Sequence, residues 1–92
     1  MNNEHTIQGI QLHEITWRVL YNIMNLGGTL TDLYKSQQPD TSFGIRQMKN
    51  KSLLVVTAQD PVMPDLTTWQ ATDKLQELWL SAEDEIKTLL EI

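Results

Sequence analysis

The sequence predicts a single α+β domain, mostly helical, and three observations point that way. Apolar residues recur at intervals of three and four along residues 12–26 and 73–91, the period of a helix with one buried face. The β-branched run Leu53-Leu54-Val55-Val56-Thr57 and a later alternating stretch, residues 66–71, read as a pair of strands. The 92 residues suffice for one core only, because a chain of this size buries roughly two-thirds of its unfolded surface.

Residues 1–9, MNNEHTIQG, show no sustained period and are expected to form a flexible N-terminal arm, with residues 10–92 as the domain. Leu12, Ile15, Val19, Ile23 and Leu26, with Leu20 beside them, mark a first helix. Gly27-Gly28 stops it, as glycine does where the chain leaves the right-handed region. Thr29 or Thr31 can cap a short second helix from Leu30 to about Ser36, which Pro39 and its predecessors break. Asp40, Thr41 and Ser42 are good N-caps for a third helix over residues 42–50. Thr41, Ile45 and Met48 should be its buried side; Ser42, Phe43, Arg46, Gln47, Lys49 and Asn50 should face outward. The two strands follow, joined by a loop carrying Pro61 and Pro64. Thr72 caps a last helix over residues 73–91, with Leu75, Leu78, Trp79, Ala82, Ile86, Leu89 and Leu90 as its apolar stripe. Ser81 and Asp84 fit a capping box, so a break near Leu80 is expected.

Composition removes several function classes. Without cysteine there are no disulfides, thiolate metal sites or cysteine nucleophiles. His5 and His13 are too few for a zinc cage, so neither metal nor cofactor is expected. No stretch approaches the roughly 18 apolar residues of a membrane span, and the first residues lack the order of a signal peptide. The expectation is a cytoplasmic protein with no membrane partner. Catalysis has no footing either: Glu83, Asp84 and Glu85 are consecutive on a helix and diverge, His13, Glu14 and Arg18 read as surface pairing, and no nucleophile elbow or phosphate-cradling loop occurs.

Charge placement says more than the total of −5. Residues 41–59 hold Arg46, Lys49 and Lys51 and no acid, a window of +3; residues 72–92 carry −4. A basic island sits on an acidic body, and a local patch steers a ligand whatever the net sign.

The order helix, short helix, helix, hairpin, helix is that of a winged helix-turn-helix domain. Ile45-Arg46-Gln47-Met48-Lys49-Asn50-Lys51-Ser52-Leu53-Leu54 resembles the end of the recognition helix in MarR-like transcription regulators. Residues 69–78, WQATDKLQEL, resemble that family's second wing strand running into the last helix. The likeness spans about residues 12–79. It departs from the family pattern in three places: Ser52 stands where a glycine is usual, the tip bearing Asp60 and Asp65 has no basic residue, and the long dimerising helices are missing.

The resemblance implies a third helix lying in the major groove. Arg46 can then donate a bidentate pair to guanine, with Gln47 or Asn50 as readers of adenine. Ser42, Lys49 and Lys51 suit phosphates, as do Lys35, Thr29 and Thr31 around the short helix. The outward Phe43 fits a thymine methyl or a protein partner, or it belongs to the core if the helix register is one residue off. A second stripe on the first helix, Trp17, Tyr21 and Met24, joins Trp79, Ile86, Leu89 and Leu90 of the last helix as an expected homodimer interface. These readings give a small dimeric regulator, a repressor, on double-stranded DNA. The alternative is a winged-helix module that docks on a protein of the transcription or replication machinery and binds no DNA.

Overall fold

The computed structural model describes residues 3–31, 39–59, 62 and 67–92, the side chains of residues 30, 31, 39–41 and 59 excepted. Strands β1 (Glu4–Ile7) and β2 (Ile10–His13) form an antiparallel hairpin, Glu4 opposite His13 and Ile7 opposite Ile10. The two turn residues, Gln8 and Gly9, both have positive φ, 52° and 80°. That handedness matches the twist of the flanking strands. The hairpin buries Ile7 and Leu12 and lies over Trp17, whose indole N–H donates to the His5 carbonyl at 3.0 Å. The flexible arm expected over residues 1–9 is therefore corrected: residues 4–7 are a strand with a place in the core.

Helix α1 (Glu14–Asn25) follows directly. It starts after Leu12 because Leu12 belongs to β2. His13 is its N-cap, Nδ1 accepting from the Ile15 N–H at 3.1 Å. At its far end Gly27 and Gly28 have φ of 90° and 82°. Gly28 N–H returns to the Ile23 carbonyl at 2.9 Å and Gly27 N–H to that of Met24 at 3.2 Å, which satisfies the last carbonyls.

The chain then enters strand β3 (Thr29–Thr31) rather than a helix starting at Leu30. Pairing with the later hairpin decides this: Thr29 lies opposite Gln70, Leu30 opposite Trp69 and Thr31 opposite Thr68. The remainder of the expected short helix lies outside the described residues. Helix α2 (Pro39–Asn50) corrects the expected start at residue 42: Asp40, Thr41 and Ser42 fall within its first turn instead of capping it. It begins on a proline, which suits a first helical position because its missing N–H would have had no partner there.

Strands β4 (Leu54–Gln59) and β5 (Thr67–Ala71) form the second hairpin, and the three-stranded sheet runs β3-β5-β4. Between Val56 and Ala58 the register slips, leaving Thr57 as an extra residue in β4. Helix α3 (Asp73–Leu89) is capped by Thr72 and runs unbroken past Ser81. The expected break is corrected, because the Ser81 hydroxyl bonds back to the Glu77 carbonyl at 2.9 Å inside the helix instead of capping a new one.

Leu12, Trp17, Leu20, Ile23, Ile45, Met48, Leu53, Leu75 and Ile86 are all essentially inaccessible and form one core with Leu78, Ala82 and Leu90. At about 1.5–3 kcal/mol for each large apolar side chain, this cluster is the principal favourable term holding the domain together. Trp17, Ile86 and Leu90, expected at a dimer interface, lie inside this chain's own core, Trp17 beneath the N-terminal hairpin. Among the described residues no helix is long and apolar enough to cross a membrane.

Candidate nucleic-acid interface

Helix α2 is seated by its inner row. Ile45 and Met48 are buried in the core, and Gly44 lies against α1 so closely that a Cβ there would stand 2.9 Å from Val19 Cβ and Cγ2. Only glycine permits that approach without displacement. A polar tie fixes the rotation: Gln47 Oε1 accepts from the His13 N–H at 3.0 Å and from Thr16 Oγ1 at 2.5 Å, and Thr16 is fully buried. Gln47, expected to read adenine, is thus a strut between α2 and the start of α1. Its carboxamide oxygen is committed because Thr16 would otherwise bury an unpaired hydroxyl.

The end of α2 is shaped by Ser52, whose φ is 61°. Leu53 N–H bonds the Met48 carbonyl at 2.8 Å and Ser52 N–H that of Lys49 at 3.0 Å, the same closure as at Gly27-Gly28 but made without glycine. Met48 and Leu53, the two positions that carry apolar residues in such an ending, are both fully buried. The first residue of α3's cap locks the corner: Thr72 Oγ1 donates to the Ser52 carbonyl at 2.7 Å, and Thr72 N–H to that of Leu53 at 3.0 Å.

With the inner row fixed, the outer row follows from helical geometry. Phe43, Arg46 and Asn50, at i, i+3 and i+7, share the outermost line of α2, and all three are exposed. Ser42 and Lys49 flank it on the side of the β4–β5 hairpin. Lys49 lies over the Trp69 ring, Nζ 5.7 Å from its centroid; the exposed Lys51 continues the row of cations beyond the helix. Lys74, which sequence reasoning passed over, joins them: its Nζ donates to the Lys51 carbonyl at 3.0 Å. Its signal was the strand-to-helix junction Thr72-Asp73-Lys74, which topology folds back onto the end of α2.

Four of the seven Lys and Arg residues therefore stand at one corner. Among the described residues none of the four has an acidic partner. Arg18 and Lys87, in contrast, sit one turn from Glu14 and Glu83 at 3.7 Å and 3.2 Å. The hydrogen bond and charge of Glu83 raise the Lys87 pKa above its ordinary value. Ser42, Phe43, Arg46, Lys49, Asn50 and Lys51 are thus brought together. Thr29 is not: β3 is the strand at the other rim of the sheet from β4. The Thr31 side chain and Lys35 lie outside the described residues.

The other expected surface is partly retained. Tyr21, Met24, Trp79 and Leu89 are half-buried, with the Tyr21 and Trp79 rings 5.7 Å apart across α1 and α3. Beside them Leu80 is 84% exposed. Compared with protein-family models, with curated proteins and with solved structures, the chain gives no match.

Proposed function

We propose that this domain is a winged helix-turn-helix regulator that binds a specific duplex DNA site as a homodimer and represses by occupying it. The single observation that carries the reading is the outer face of α2, where Arg46 is exposed beside Lys49, Asn50 and Lys51 with no acid among the described residues to neutralise it. Helix α2 stands before a β-hairpin and a last helix, the order of that fold. Its width suits a major groove, its arginine suits guanine O6 and N7, and its lysines suit phosphates. The half-buried Tyr21, Met24, Trp79 and Leu89, with the exposed Leu80, supply apolar surface for a second copy.

Selection of binding sequences from a random duplex pool at low salt tests this. Enrichment of one motif is expected, and Arg46→Ala should weaken its binding by about 1–3 kcal/mol and relax preference at one base pair. Absence of enrichment at low salt would overturn it. One observation favours the second reading, docking on a protein. Val55 and Val56 are exposed beside Trp69, lining with Leu54 a groove of about 420 Å³. Under that reading the selection fails while the groove remains essential to activity.

A further inference from the structure

We infer that Phe43 reads the C5-methyl group of a pyrimidine in the major groove, next to the guanine taken by Arg46. This rests on the DNA-binding reading of α2 and assigns it a ligand feature. Phe43 is 42% exposed on the outermost line of an otherwise polar and cationic face. Its ring is nonetheless supported on one side. The His13 imidazole meets it edge-on, centroids 5.4 Å apart at 81°, a favoured aromatic arrangement. His13 is itself held in place: its Nδ1 accepts from the Ile15 N–H and its backbone N–H donates to Gln47 Oε1. The adjoining Gly44 presses the backbone of α2 onto Val19. The exposed half of the ring is a preorganised apolar surface aimed the same way as Arg46.

Major-groove base edges offer one apolar feature, the methyl on C5 of thymine; 5-methylcytosine carries the same group at the same position. Without that methyl, in uracil or in unmethylated cytosine, the ring has no apolar partner at C5. The spacing points to neighbouring bases: three helical residues advance about 4.5 Å, close to the roughly 3.4 Å between bases along a strand. The ligand feature is a C5-methylated pyrimidine beside guanine.

The test uses duplexes enriched from the random pool, with binding followed by fluorescence anisotropy. At the pyrimidine beside the guanine that Arg46→Ala makes indifferent, thymine is replaced by uracil, and cytosine is compared with 5-methylcytosine. Removing the methyl should weaken wild-type binding about 3–5-fold and adding it should strengthen binding by as much, the worth of burying one methyl group. Phe43→Ala should bind both members of each pair alike. His13→Asn, which retains a good N-cap, should leave affinity for the methyl-free duplex unchanged and shrink the ratio, marking His13 as a positioning residue. Wild-type binding with no methyl preference, or a preference that survives Phe43→Ala, overturns the inference and leaves the DNA-binding reading standing. Failure to enrich any duplex overturns both.

Discussion

Two backbone positions decide where α2 points, and they do so in opposite ways. Gly44 is there because nothing larger fits against Val19. Gly44→Ala should cost about 1–3 kcal/mol by overpacking, measured as a lowered urea midpoint, and should weaken DNA binding by more than the loss of folded protein explains. Ser52 is tolerated rather than required. A left-handed L-residue carries about 1–2 kcal/mol of strain, of which glycine would return part as extra chain entropy. Ser52→Gly should therefore raise stability by about 0.5–1 kcal/mol and leave the Lys49–Lys51 corner in place, read as a higher melting temperature with unchanged DNA affinity. The sequence signalled Ser52, since it stands where the resembled family has glycine. It gave no sign of Gly44, because a glycine inside a helical period reads as a weakness until its neighbour is known.

At the level of elements, the strongly periodic pieces were legible and the short ones were not. The cores of α1, α2 and α3 and both strands of the second hairpin follow from apolar spacing, and the Gly27-Gly28 stop and the Thr72 cap from end chemistry. The start of α2 was misplaced, because three good capping residues in a row, Asp40 to Ser42, masked a helix already begun at Pro39. The first hairpin did not, because its strands have only four residues each and its turn is Gln8-Gly9 rather than the stronger Asn-Gly signal. Strand β3 was misread for a related reason: three residues starting with threonine look like a helix cap unless the pairing with β5 is known. Missing the first hairpin also misplaced Trp17, whose cover is that hairpin. Deleting residues 1–9 should cost at least ~2 kcal/mol, the burial of Ile7 alone being worth about that, as followed by urea denaturation. A flexible arm would cost nothing measurable.

Across the whole molecule, charge is sorted rather than balanced. The net charge is −5, while among the described residues Arg46, Lys49, Lys51 and Lys74 gather at one corner, the face through which the proposed association with DNA would run. Affinity should fall steeply with salt as phosphate counterions are displaced. Lys51→Ala should weaken binding to all duplexes alike and reduce the slope of log K against log salt by about 1; an unchanged slope would remove Lys51 from the contact. The candidate face was half readable. The window over residues 41–59 showed the cations, but only the fold adds Lys74, withdraws Gln47 and detaches Thr29. Each depends on a contact between segments distant in the chain.

The irregular residue Thr57 bears on how such molecules meet each other. Strand β4 forms a rim of the sheet, and with Val55 and Val56 turned outward it offers a neighbouring molecule both backbone groups and grease. The kink that Thr57 imposes spoils the straight ladder a stranger's strand would need. The bulge is thus a safeguard at the sheet's open edge, lowering the tendency of β4 to template a strand from outside.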